Sequence, residues 1–187
     1  LGKHWNATCI LDPVTVWPHP GKAHPLLVVS GSCSPVTSAQ IAYAKANGFE
    51  ELIIDAVKIC TEGIVEDSVF EKVQALLQQQ KNVIVHTGDK QTNNLSSEKL
   101  GTALGQIAKA AAEQSLIKRV VVAGGDTSSY AARAMDIEAV EMIAPMVIGA
   151  PLCKAISANK NINGLEVNFK GGQVGGERYF EMMAVGE

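Results

Sequence analysis

The 187-residue sequence lacks any apolar run that approaches the roughly 18 or more residues needed to cross a bilayer. It also lacks a secretory signal. Its four cysteines form no CxxC pair and have no histidine at ligand spacing; they are Cys9, Cys33, Cys60 and Cys153. Neither a zinc site nor a disulfide framework is therefore indicated. These absences predict a cytoplasmic protein with reduced thiols and no membrane partner.

An excess of basic charge is missing as well. Sixteen Lys and Arg residues stand against 19 Asp and Glu residues, so the formal net charge is −3 and the isoelectric point is near 5.8. Because a nucleic-acid-binding domain usually carries a basic surface, no nucleic-acid partner is expected. The content of 47% hydrophobic and 19% charged residues is instead typical of one globular domain with a proper core.

Strand-like and helix-like segments alternate along most of the chain. Short aliphatic runs are typical of buried parallel strands, and the segments between them have apolar residues at helical spacing. Strands are predicted at 25–30, 51–56, 82–86, 120–122, 139–143, 151–157 and 165–170, and helices at 37–46, 69–80, 97–114, 130–135 and 177–183. Residues 60–67 are predicted as a loop. This order predicts an α/β fold, an open and mostly parallel sheet with helices on both faces.

Three turns rich in glycine and serine each follow a predicted strand. They span residues 30–34, 124–128 and 171–176. The carboxyl ends of parallel strands share one edge of a sheet, and that edge is where doubly wound folds bind ligands. Many N–H donors with little side-chain bulk suit a polyphosphate nucleotide. The alternative is that these are ordinary turns whose glycines only permit the bend.

The middle turn carries the strongest signal. Gly124 and Gly125 are predicted to adopt dihedral angles that other residues avoid, and residues 126–129 to cap a helix that starts near Tyr130. The free amides and positive dipole end of such a helix bind anions, most often phosphate. The spacing matches neither GxGxxG nor GxxxxGK[ST].

Single side chains in or beside these turns allow more than one interpretation. Ser30, Ser32 and Thr127 could donate hydroxyl groups to phosphate or act only as caps. Asp126 could orient a magnesium ion through water, or be a plain N-cap. Lys170 could neutralise phosphate charge, or be a solvated strand end.

His86 ends a predicted strand at the same edge and is interpreted as a structural histidine. The alternative is a nucleophilic Cys33–His86 pair, which would make the protein a small hydrolase.

Together, the three turns resemble the signature of the four-carbon acid sugar kinases, and more narrowly of their C-terminal nucleotide-binding domain. The first turn is followed by Thr37 and Gln40, as in that family, and the resemblance covers about Leu26 to the end of the chain. It implies ATP or ADP with Mg²⁺ as ligands. The residues expected to bind the nucleotide are Ser30, Gly31, Ser32, Gly124, Gly125, Asp126, Thr127, Lys170, Gly171, Gly172 and Gly175, whereas catalytic residues and metal ligands are not identified.

The family phosphorylates sugar acids such as threonate, erythronate or 3-oxo-tetronates, which its N-terminal domain holds. Its Asp-Asp-x-Thr-Gly motif is absent here, and Gly171 and Gln173-Val174 replace the usual Ser and Asn-Phe. We therefore expect residues 1–24 to be a linker from the tail of a missing substrate domain, and residues 25–187 to be the nucleotide-binding domain, inactive alone. The alternative is a non-catalytic module that senses a nucleotide or phosphorylated metabolite. A homodimer is possible.

Overall fold

The structure, a computed structural model, describes residues 2–10, 16–88 and 95–186. Its strands are β1 (Leu26–Ser30), β2 (Glu50–Ile53), β3 (Val83–His86), β4 (Arg119–Ala123), β5 (Ala139–Val147), β6 (Ala150–Ile156) and β7 (Glu166–Lys170). Its helices are α1 (Gly2–Ala7), α2 (Pro35–Ala46), α3 (Ala56–Glu62), α4 (Asp67–Gln78), α5 (Ser97–Glu113), α6 (Gly125–Ala134) and α7 (Tyr179–Val185).

The strands form one sheet in the order β2-β3-β1-β4-β7-β6-β5. The pairs from β2 to β7 are parallel, whereas the β5–β6 hairpin adds two antiparallel strands at one edge. Helices α2 and α7 pack on one face, and α3 to α6 pack on the other. The predicted α/β fold, with a mostly parallel sheet and helices on both faces, is confirmed.

The central strands are buried because their sequences are aliphatic. Every residue of β1, β3 and β4 is buried, and alternate side chains supply the two hydrophobic cores. After β1 the chain turns to α2 on one face, whereas after the neighbouring β4 it turns to α6 on the other face. Two adjacent strands whose helices leave on opposite faces form a switch point, where a crevice opens at the carboxyl ends.

Two local predictions need correction. The predicted loop at 60–67 and the strand end at 54–56 contain helix α3, because the Asp55 carboxylate accepts hydrogen bonds from the amides of Val57 and Lys58 and so ends the strand early. The helix predicted to start near Tyr130 begins at Gly125. In the N-terminal arm expected at 1–24 the structure describes helix α1 and residues 8–10 and 16–24, while residue 1 and residues 11–15 lie outside the described residues.

Among the residues that the structure describes, no helix is long and apolar enough to cross a membrane.

A buried arginine joins several elements at the other end of the sheet. Arg119 opens β4 and is fully buried. Its Nε donates to Glu166 Oε2 at 2.7 Å, and its Nη1 donates to the carbonyl of Met183 at 2.5 Å. Its Nη2 donates to the carbonyl of Gly21 at 3.1 Å. One guanidinium thus connects β4, β7, α7 and the N-terminal arm.

Replacing Arg119→Met is expected to lower the free energy of unfolding by about 3–5 kcal/mol, because the largely buried Glu166 carboxylate would lose its main partner. Urea unfolding followed by circular dichroism measures this. Lys118→Met is the matched control, since Lys118 contacts the same carboxylate at 3.0 Å with a 57% exposed side chain, and an exposed pair contributes at most about 1 kcal/mol. Equal losses in the two variants would contradict the assigned role of Arg119.

Candidate functional site

The three predicted turns meet side by side at the carboxyl edge of the sheet. The amide of Gly31, after β1, donates to the carbonyl of Ala123 at the end of β4 at 3.2 Å. The amide of Gly124, after β4, donates to the carbonyl of Lys170 at the end of β7 at 2.9 Å. Each turn is therefore anchored to the end of the next strand in the sheet.

The turns approach each other so closely that side chains are excluded between them. A Cβ atom at Gly31 would lie 2.5 Å from Thr127 Oγ1, and one at Gly124 would lie 2.8 Å from the same oxygen. Gly124 also has φ +119°, where other residues are strained. A Cβ atom at Gly172 would lie 2.7 Å from Ser32 Oγ, so the third turn touches the first.

A cavity of about 180 Å³ opens between the turns and the start of α5. The turns line it with Gly31, Ser32, Gly124, Gly125, Asp126, Thr127 and Gly172, and the α5 side contributes Leu95, Ser97 and Leu100. This volume is below the roughly 300–1,000 Å³ typical of pockets that enclose a whole drug-sized ligand. The cavity therefore suits one end of a nucleotide, such as its phosphates, rather than the entire molecule.

Helix α6 points its N-terminus at this cavity without a side-chain cap. Gly124 is the N-cap residue and has no side chain, and among the described residues no side chain accepts from the first amides of the helix, which an α-helix leaves without internal partners. Helix α2 is different, because Ser34 Oγ accepts from the amide of Val36 at 3.2 Å. The prediction that residues 126–129 cap this helix is wrong: they lie inside it, and Ser128 Oγ donates to the carbonyl of Gly124 at 2.7 Å.

Gly125 also differs from its prediction. It begins α6 without a positive φ, and a Cβ atom there would meet no protein atom within 4 Å. The unusual dihedral angle belongs to Gly124 alone of the two glycines. Open space at Gly125 means that a side chain there would project into the open region beside the first amides of the helix.

Four predicted site residues do not line the cavity: Ser30, Lys170, Gly171 and Gly175. Ser30 is buried, and its Oγ accepts from the amide of Ser32 at 3.3 Å. Gly171 adjoins the lining residue Gly172. Gly175 lies against the Tyr179 ring, which a Cβ atom would overlap, so its small size serves packing within the described structure.

Lys170 is fully buried behind the third turn, so its interpretation as a solvated strand end is wrong. Its Nζ donates to Thr37 Oγ1 at 3.1 Å and lies 5.4 Å from the centre of the Tyr179 ring. Within the described residues it forms no ion pair with a carboxylate. Desolvation lowers the pKa of Lys170 from 10.5 to about 8. Burial likewise raises the pKa of Tyr179.

His86 is held by two partners, in agreement with its structural interpretation. Its Nδ1 accepts from the amide of Gly88 at 3.1 Å, and its Nε2 lies 2.9 Å from Glu51 Oε1. With both ring nitrogens engaged, no nitrogen of His86 is left to take a proton from Cys33. The geometry therefore argues against the nucleophilic pair.

Sequence reasoning missed part of the cavity wall. Ser97 and Leu100 lie in the first turn of α5, and Leu95 lies two residues before the helix. A helix that leads into a parallel strand must begin at the carboxyl edge, so the predicted helix at 97–114 already placed these residues there. The predicted topology therefore indicated this part of the cavity wall, whereas no residue pattern did.

Comparison with known proteins matches residues 27–180 to the family model described as the nucleotide-binding C-terminal domain. The 3-oxo-isoapionate kinase of Paraburkholderia graminis is 34% identical over an alignment of 206 residues, which covers 100% of this chain and 44% of that protein. The D-threonate kinase of Salmonella typhimurium is 27% identical over 183 residues, covering 88% of this chain and 43% of that protein. The chain thus spans less than half the length of these relatives.

The fold also has a counterpart among solved structures. A domain of unknown function from Bordetella bronchiseptica, crystallised as a domain-swapped dimer with bound citrate, superposes with a TM-score of 0.72 at 19% identity. The match covers 88% of this chain and 41% of that one. At this identity the likeness establishes the shared fold.

Replacing Gly31→Ala is expected to lower the free energy of unfolding by about 1–3 kcal/mol, because the new methyl group would overlap Thr127. Gly125→Ala is the matched control: its methyl group meets no neighbour, and alanine favours a helix over glycine by up to about 1 kcal/mol. Urea unfolding of both variants measures the difference. A Gly31→Ala protein as stable as the parent would contradict the close approach of the first two turns.

The buried Lys170 predicts a specific pH dependence. Its pKa is about 8 when folded and about 10.4 when unfolded, so the unfolded chain binds more protons between these values. The free energy of unfolding should therefore rise by about 2 kcal/mol from about pH 8 to about pH 10, relative to Lys170→Met. Denaturation of both proteins across this range tests it, and parallel curves would show that Lys170 has an ordinary pKa.

Proposed function

The chain belongs to the family of nucleotide-binding C-terminal domains found in the four-carbon acid sugar kinases, and from this premise we propose that its three turns bind ATP and ADP. The observation that carries the proposal is the uncapped N-terminus of α6, which faces a small cavity between turns that exclude side chains. The resemblance read from the three turns is confirmed by the family match.

The phosphates are proposed to lie on the first turn of α6. The amides of Gly125, Asp126 and Thr127 have no helical partner, and the helix dipole adds a partial positive charge at the same point. Thr127 Oγ1 lies beside both Gly31 and Gly124 and provides a hydroxyl donor at the cavity wall. Backbone dipoles that are already fixed in place bind a polyanion without further ordering of side chains.

Lys170 supplies the nearest buried positive charge. It does not line the cavity, so we propose that it acts through the electrostatic potential behind the third turn rather than as a direct ligand. A nearby polyphosphate would stabilise the protonated amine and raise its lowered pKa. The residue then contributes to affinity only while it is protonated.

The residues present fit a magnesium ion that is bound mainly through phosphate and water. Asp126 is exposed in the first turn of α6 and lines the cavity. Within the described part of the chain, no cluster of three or more metal-binding side chains exists. Mg²⁺ commonly uses one or two carboxylates together with substrate phosphates and waters, so Asp126 is the side chain that would hold it, and the ion would neutralise phosphate charge.

We propose that the complete activity is the phosphorylation of a four-carbon acid sugar by ATP. Transfer of this kind depends mainly on positioning and charge neutralisation, which a cradle of amides provides for the nucleotide. Among the described residues that line the cavity, Asp126 is the one with an acidic or basic side chain. The acceptor site and its general base are therefore proposed to lie outside these 187 residues, in a substrate domain to which residues 1–24 lead, and this chain alone is proposed to bind nucleotide without transferring phosphate.

Binding of ADP is expected to shift the ¹⁵N–¹H NMR signals of all three turns, and Gly125→Val should weaken it by roughly 100-fold or more while the chain stays folded. The valine would fill the space beside the first amides of α6, which is open in the parent. Isothermal titration with ADP measures the affinity.

Ser129→Val is the matched control, since it adds a valine on an exposed position of the same helix away from the cavity. Unchanged affinity in Gly125→Val, or ADP shifts confined to a single turn, would refute the nucleotide site. Binding of sugar phosphates in place of ADP would indicate a metabolite-sensing module instead.

A further inference from the structure

One buried glutamine holds the third turn in its conformation. Gln40 lies in α2 and is fully buried. Its Nε2 donates to three successive carbonyls, those of Val174 at 2.9 Å, Gly175 at 3.1 Å and Gly176 at 3.1 Å. An amide group has two hydrogens, so the three carbonyls share them. All three peptide groups are thereby oriented toward a single atom.

The orientation of these carbonyls fixes the direction of the adjacent amides. In a trans peptide the C=O of one residue and the N–H of the next point in opposite directions. The N–H groups of Gly175, Gly176 and Glu177 therefore point away from Gln40, and within the described residues none of the three donates a hydrogen bond. Gly176 and Glu177 are exposed to solvent. The turn presents a row of donors on its outer side.

The glutamine is not explained by stability alone. Its Oε1 is buried without a hydrogen-bond partner in the described structure, and an unsatisfied buried acceptor is costly. Exchanging its oxygen and nitrogen would place Oε1 against three carbonyl oxygens, so the orientation of the side-chain amide is unambiguous. The sequence thus has a polar side chain at this buried position although its unsatisfied oxygen costs stability. The effect of the side chain is to align the carbonyl groups of the third turn.

We propose that Gln40 is a positioning residue for the nucleoside part of the nucleotide. The inference rests on the proposed function. The 180 Å³ cavity holds the phosphate end, and Gly172 of the third turn lines it, whereas Gly175 to Glu177 lie farther along the same turn and outside it. Donors placed beyond the phosphates meet the ribose and base, whose oxygen and nitrogen atoms accept hydrogen bonds.

The test compares ADP with inorganic pyrophosphate on the 187-residue chain. Gln40→Met keeps the side-chain length and removes the donor, so the affinity for ADP should fall at least about tenfold. The affinity for pyrophosphate, followed through the amide signals of Gly125 to Thr127, should stay within about twofold. The ADP-induced shifts of Gly175, Gly176 and Glu177 should disappear, while those of α6 persist.

Two further variants complete the test, one as a second replacement of Gln40 and one as a control. Gln40→Asn keeps a polar side chain but shortens it by one carbon–carbon bond, which withdraws the amide from the three carbonyls. It should show the same selective loss of ADP affinity, and it serves as the test if the methionine variant does not fold. Gln78→Met, at the exposed end of α4, is the control and should bind both ligands as the parent does.

Equal weakening of ADP and pyrophosphate, or unchanged ADP binding with unchanged shifts at the third turn, would overturn the role of Gln40. If the parent itself responded to neither ligand, the proposed nucleotide site would be wrong and this inference would be refuted with it.

Discussion

The contact of Thr127 with two glycines is the constraint on which the site depends. Any side chain at Gly31 or Gly124 would overlap Thr127 Oγ1, so the first turn of α6 sits directly over the crevice between β1 and β4. Helix α5 packs just as tightly against neighbouring positions on the same face of α6, since residues three and four apart lie side by side on a helix. Cβ atoms at Gly101 and Gly105 of α5 would lie 2.7 Å from Tyr130 Cβ and from Ala131 Cα, respectively. Close contacts at glycines of the first two turns and of α5 therefore determine where the N-terminus of α6 points.

Features encoded by short stretches of sequence were predicted well. Aliphatic runs predicted the buried strands, and the alternation of strands with helices predicted the parallel sheet and the shared edge of the turns. The first residues of the helices were less predictable, because any of several neighbouring residues can serve as the N-cap. Asp55 begins a helix where a strand was expected to continue, and Gly124 begins one without the side-chain cap that the following polar residues suggested. A side-chain cap decides the first case and the backbone conformation of Gly124 decides the second, and composition alone reveals neither.

Long-range packing determines the features that sequence reasoning could not reach. Lys170 resembles a solvated strand end in sequence, yet α7 returns over it and places Tyr179 against its amine. Gln40 was recognised as part of a motif, but the sequence assigned it no role. Its hydrogen-bond partners lie more than 130 residues away along the chain. The wall formed by α5 was accessible from topology, as a helix preceding a parallel strand must start at the carboxyl edge.

The distribution of charge has a consequence for how the proposed site would work. Its cavity is lined by amides, hydroxyls and apolar groups and by one carboxylate, while the nearest buried cation stands behind the third turn. Amide donors do not titrate, so they act alike at any physiological pH. The charge of Lys170 is conditional, since burial lowers its pKa to about 8. Binding of a polyanion favours the protonated amine, and by linkage a protonated amine favours the polyanion. In the proposed complex a bound phosphate would reduce the cost of burying this lysine, so the residue that weakens the unliganded fold would strengthen the complex.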